Sequence, residues 1–85
     1  MRETEIDRLT VNAENLAAQN NWGKEAMKVN TRILKLEPNN VNALTRLAKH
    51  YRQIDQNAHA RKLYTKVLTI DPDNRIAKNN IKTTD

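Results

Sequence analysis

The sequence predicts an all-α chain of two helical hairpins and a closing helix, and three observations carry that prediction. The segment Leu34-Lys35-Leu36-Glu37-Pro38-Asn39-Asn40 returns as Leu68-Thr69-Ile70-Asp71-Pro72-Asp73-Asn74, which sets Pro72 on Pro38. At the same interval Ala26 falls on Ala60, Lys28 on Lys62, Thr31 on Thr65, and Ile33 on Val67, which is too many matches for chance. Between the proline segments, apolar residues recur at three- and four-residue steps, the period of a helix face rather than of a strand.

Each element follows from its own residues. The first helix is predicted over about 4–20, with Ile6, Leu9, Ala13, Leu16 and Ala17 as its apolar stripe. Asn20-Asn21-Trp22-Gly23 breaks that stripe, and the single glycine is expected to supply the backbone freedom of the turn. The second helix, about 23–36, carries Ala26, Val29, Ile33 and Leu34. The third, about 40–53, carries Ala43, Leu44, Leu47, Ala48, Tyr51 and Ile54, and Asp55-Gln56-Asn57 ends it. The fourth, about 56–69, carries Ala60, Leu63, Tyr64, Val67 and Leu68. Asp71-Pro72 stops it, because a residue before proline is pushed out of the α region. Asp73 or Asn74 is placed to cap a fifth helix, about 73–82, which keeps Ala77 and Ile81 for the inner face and leaves Ile76 exposed.

With these elements in place, the sequence resembles the tetratricopeptide repeat family, whose repeat of about 34 residues has the pattern W-x2-L-G-x2-Y, A-x3-F and P. Leu44-x2-Leu47-Ala48-x2-Tyr51, Ala60-x3-Tyr64 and Pro72 follow it closely. Thr10-x2-Ala13-Glu14-x2-Ala17, Ala26-x3-Asn30 and Pro38 follow it more loosely, with Glu14 where a small residue is usual. The resemblance implies one domain over 1–85, with repeats over about 7–40 and 41–74 and a capping helix over about 75–82. It also implies a right-handed superhelical α-solenoid fragment, in which each hairpin packs on the next.

Composition narrows the function classes. Eighty-five residues suit one small domain with a thin stability margin, and there is no cysteine for a disulfide or a thiolate zinc site. The net charge of +5 serves solubility or attraction to an anionic partner. No apolar run nears the ~20 residues of a membrane span, and Met1-Arg2-Glu3-Thr4-Glu5 is too polar for a signal peptide. A cytoplasmic protein that binds no membrane is therefore expected. Neither a serine or cysteine nucleophile nor a glycine-rich phosphate loop is present, so an enzyme is not expected. His50 and His59 lack cysteines or clustered carboxylates beside them, and His50 is read as packing at a helix interface. Asp71-Pro72-Asp73 fails as a calcium loop, since Ile76 stands where that loop needs glycine and Lys82 where it needs glutamate. No metal or cofactor is expected.

In the family, ligands lie along the concave surface formed by the first helix of each pair. Carried onto this chain, that surface holds Arg8, Val11, Asn12, Asn15 and Gln19, then Asn42, Thr45, Arg46, Lys49, Arg52 and Gln53, then Asn79, Asn80 and Thr83. It is a face of amides and cations with no acid. Asparagine can both donate to and accept from a peptide backbone, and the planar fork of Arg46 suits a carboxylate or phosphate. The family's clamp for acidic chaperone tails is matched only at Asn15. Val11, Arg46, Ile76 and Asn80 stand at its other positions, so a different anionic or extended peptide is the expected partner. The alternatives are nucleic acid, for which the groove lacks stacking aromatics, and a weak homodimer through Ile76. Trp22, in the first turn, is read either as covering the end of its own hairpin or as an exposed aromatic anchor.

Overall fold

The computed structural model describes residues 3–83, which form five helices: α1 (Glu5–Ala18), α2 (Lys24–Leu36), α3 (Val41–Gln53), α4 (Asn57–Ile70) and α5 (Arg75–Thr83). Among the described residues there is no strand. Each helix packs against its neighbours in the chain, and contacts between helices further apart are slight. The molecule is accordingly elongated, with extents of 43 × 25 × 20 Å.

Local chemistry sets the helix ends. Thr4 and Asp7 form a reciprocal capping box, in which the Asp7 N–H donates to Thr4 Oγ1 and the Thr4 N–H donates to the Asp7 carboxylate. Asn40 Oδ1 accepts from the Ala43 N–H at 3.0 Å, and Asn74 Oδ1 accepts from the Ala77 N–H at 2.9 Å. Each of these asparagines also donates through Nδ2 to an acid three residues back, Glu37 or Asp71. The same set of bonds thus recurs at the interval that separates the two proline segments. Of the two candidate caps for α5, Asn74 makes the bond.

Helix α3 ends at Asp55-Gln56 as the sequence indicates, whereas the turn after α1 is made differently from the expectation. Asn20 (φ 55°) and Asp55 (φ 61°) hold the left-handed conformation. The N–H of Asn21 reaches the Leu16 carbonyl, and that of Gln56 reaches the Tyr51 carbonyl, closing a Schellman motif at each end. Gly23 does not supply the turn's freedom. It is extended (φ −83°, ψ −154°), and a Cβ there would meet only an ordinary contact with Asn21. Asparagine tolerates the left-handed region, so the turn is made three residues earlier.

The core is built from these stripes in two connected clusters. Ala13, Leu16, Ala26, Val29, Ile33 and Ala43 form one; Leu44, Ala48, Ala60, Tyr64, Val67 and Ala77 form the other, and Leu34 packs against both. Ile54 is a correction: as the residue that caps α3 it leaves the stripe and is 48% exposed. Asn30 was not expected in the core, yet it is fully buried. Its Nδ2 donates to the Ala26 carbonyl at 2.9 Å, while its Oδ1 has no partner among the described residues. A buried acceptor without a donor costs about 1–3 kcal/mol. Asn30→Leu should therefore raise stability by about 1 kcal/mol, seen as a melting temperature several degrees higher in thermal denaturation followed by circular dichroism.

At the N-terminal edge, the Arg32 guanidinium clasps the Glu5 carboxylate through two bonds of 2.9 and 3.1 Å. That hydrogen bonding holds the Glu5 carboxyl below its ordinary value. A lowered folded-state value means the stabilisation is present above the ordinary glutamate range and is lost as pH falls through the folded value. Glu5→Gln should melt lower than wild type at neutral pH, and parallel melts at decreasing pH should show the difference disappear.

Candidate functional site

A cavity of about 370 Å³ opens between α3 and α5, above α4. Helix α3 lines it with Asn42, Thr45, Arg46, Lys49 and Arg52, which recur at three- and four-residue steps on one face. Helix α4 contributes Tyr64, α5 contributes Ile76 and Asn80, and the α1–α2 turn contributes Trp22. Among the described residues, no aspartate or glutamate lines it. Asn42 and Arg52 are ten residues apart, so the lined face of α3 runs about 15 Å, the length of four to five extended residues.

The three cations of this cavity are in different states. Arg52 is half-buried, donates to Asn80 Oδ1, and donates to the Tyr64 hydroxyl. It therefore ties α3 to α4 and α5 at once. Lys49 is exposed, with its ammonium 4.7 Å from the centre of the Trp22 ring, a cation–π contact. Arg46 is half-buried and, among the described residues, has no hydrogen bond, ion pair or ring contact. Among the amides and hydroxyls, Thr45 Oγ1 donates to the Asn42 carbonyl at 2.9 Å, and Asn80 Nδ2 donates to the Ile76 carbonyl at 2.7 Å.

Of the residues singled out from the sequence, Asn42, Thr45, Arg46, Lys49 and Arg52 come together here. Asn12, Asn15, Gln19 and Gln53 do not line this cavity. Asn12 and Asn15 lie exposed on α1, Gln19 caps the end of α1, and Gln53 is the last residue of α3. Asn80, placed on this surface from the sequence, does line the cavity, whereas Ile76 was not assigned to it. Ile76 stands one repeat interval after Asn42, so sliding the repeat would have found it. Tyr64 reads from the sequence as core. It is core, 1% exposed, but its hydroxyl end meets the cavity.

Trp22 answers neither sequence expectation fully. It is half-buried in the turn, yet it walls the cavity between other elements. His50 is buried at the α3 interface, as read from the sequence, with its Nδ1 2.7 Å from the Trp22 carbonyl. His59 stacks on Tyr51 at 3.8 Å, away from this cavity. Among the described residues no three His, Asp or Glu side chains gather as a metal site requires, and no helix is long and apolar enough to cross a membrane.

No protein-family model matches the chain, and no curated protein matches it.

Burial raises the Tyr64 hydroxyl above its ordinary value, against the opposing pull of Arg52. A raised folded-state value leaves stability intact below the ordinary tyrosine range. It removes stability as pH climbs through that range toward the folded value, because the unfolded chain ionises first. Tyr64→Phe should lose about 1 kcal/mol at neutral pH through the broken Arg52 bond. Urea titrations at neutral and at alkaline pH should then show the gap to wild type narrowing at the higher pH.

Proposed function

We propose that the chain is a tetratricopeptide-like interaction module that binds an extended acidic peptide along the α3–α5 cavity and catalyses no reaction. The observation that carries this reading is Arg46, a half-buried guanidinium that, among the described residues, has no intramolecular partner and faces a cavity lined by no acid. A planar fork in that setting offers two parallel donors to a carboxylate. Asn42 and Asn80 flank it with amides, which suit a peptide backbone of any side-chain sequence. The repeat reading draws support from the caps at Asn40 and Asn74, whose bonds recur at the repeat interval, and from helices that pack mainly on their chain neighbours.

The partner's charge need not be large. Arg52 is occupied by Tyr64 and Asn80, and Lys49 by Trp22, so one anionic group at Arg46 meets the only cavity cation without a partner among the described residues. A short peptide with a single well-placed acid is therefore the ligand of choice.

Anisotropy titration of a fluorescein-labelled, glutamate-containing peptide is the test. Arg46→Glu should weaken binding by about 1.5–3 kcal/mol, because it removes a two-point donor and adds repulsion. Lys66→Glu makes the same change in net charge on exposed α4 surface away from the cavity and should have little effect. Equal losses from both variants would mean that only net charge is being measured. A short oligonucleotide bound more tightly than the peptide, with a steep salt dependence, would replace the peptide reading by phosphate-backbone binding.

A further inference from the structure

The one aromatic ring that walls the cavity from outside the helices sits on a turn, which is an insecure place for a wall. The α1–α2 connection spans residues 19–23, whereas its counterpart between α3 and α4 spans only 54–56. The repeat interval runs unbroken through both connections, so Trp22 falls on Gln56 with no residue inserted, but the helices here leave more backbone to hold. Within the turn, Trp22 Nε1–H donates to Asn20 Oδ1 at 2.7 Å, and the Gly23 N–H donates to Asn21 Oδ1 at 3.2 Å. Both bonds are exposed and local, so neither ties the turn to α3.

His50 makes that tie. A carbonyl oxygen only accepts, so Nδ1 must carry the hydrogen in the 2.7 Å contact with Trp22 O. The imidazole is 7% exposed, and Tyr51 meets it edge-on at 5.0 Å between ring centres. Tyr51 in turn stacks on His59 of α4. The repeat register places His50 opposite Leu16, which is also buried, at 6%. Leucine satisfies the packing in the first hairpin, so what the imidazole adds in the second is a donor aimed at the turn.

We propose that His50 is the positioning residue of the cavity: its bond to the Trp22 carbonyl fixes the indole as the wall, and the fixed indole holds Lys49. The binding part of this inference rests on the peptide reading above; the positioning part does not. With the ring in place, the Lys49 ammonium is kept on the aromatic face, and the ligand's acid is left to Arg46. Without it, the turn carries Trp22 away and Lys49 swings into solvent.

Trp22 is the only tryptophan of the chain, so its fluorescence reports the wall directly. The comparison is wild type, His50→Leu, His50→Met and His50→Asn, each first checked for helicity. Leucine and methionine fill the space without a donor, and methionine does so flexibly enough to serve if leucine disturbs the packing. Asparagine keeps a side-chain N–H near the Nδ1 position. The donor-free variants should show lower tryptophan anisotropy and stronger acrylamide quenching, and should bind fluorescein-labelled pentaglutamate roughly three- to tenfold more weakly. His50→Asn should recover most of both.

Folded donor-free variants with wild-type quenching and anisotropy would overturn the proposal, since the indole would then be held without His50. Changes of equal size in all three variants, with no recovery by asparagine, would also overturn it and assign His50 a packing role. If quenching responds with recovery while no form binds the peptide, the positioning role stands and the peptide reading falls.

Discussion

Close approach of successive helices is the constraint on which the rest of the structure depends, and alanine makes it possible. Ala13, Ala26, Ala43, Ala48, Ala60 and Ala77 are each at most 1% exposed, and together they occupy all five helices. A methyl group lets two backbones come together where a larger side chain would hold them apart, and cores packed to crystal density leave no room for an extra methylene. The larger residues then fill the remaining space between the alanines: Leu16, Val29 and Ile33 in one cluster, Leu44, Tyr64 and Val67 in the other. Because each helix leans mainly on its chain neighbours, an error at one alanine would propagate into the angle of everything after it. The cavity between α3 and α5 is a product of that stacking, since α4 sets their separation.

Polar residues do two kinds of work that hydrophobic patterning does not describe. One is punctuation. Asn40 and Asn74 each satisfy an orphan helix amide with Oδ1 and hold an upstream acid with Nδ2. The other is cross-bracing. Arg52 reaches Tyr64 on α4 and Asn80 on α5, so a helix that touches α3 only slightly is still tied to it. At the corresponding places of the first hairpin stand Ala18 and Asn30, which form no such brace.

Much of this architecture was legible in the sequence because period and punctuation coincide. Apolar spacing marked all five helices, the residue before each proline marked the ends of α2 and α4, and the register placed Arg46 and Lys49 on one face with Asn42. What escaped was whatever depends on turn geometry or on a polar atom's destination. Glycine is the usual holder of a left-handed backbone, so Gly23 drew the assignment that belongs to Asn20. The repeat register places Trp22 on Gln56, a polar residue just before α4, so it gave no sign that the indole would wall the cavity. Asn30 is the least legible of all. Polarity argued for the surface, and only the position's match to Tyr64 pointed inward.

The unequal hairpins have a consequence for how the molecule opens. Local unfolding starts where buried groups are least satisfied and where few neighbours hold an element, and α1 packs chiefly on α2. Asn30, with its orphan oxygen, weakens the same hairpin from within, while the second hairpin is braced by Arg52 and flanked on both sides. The N-terminal hairpin is therefore the lower-stability unit, and its amides should exchange with solvent before those of α3 and α4. Yet that weaker unit supplies Trp22 to a cavity otherwise built on the stronger one. An occupant touching the indole would draw the two units into one cooperative block, so filling the cavity and closing the N-terminus become a single equilibrium.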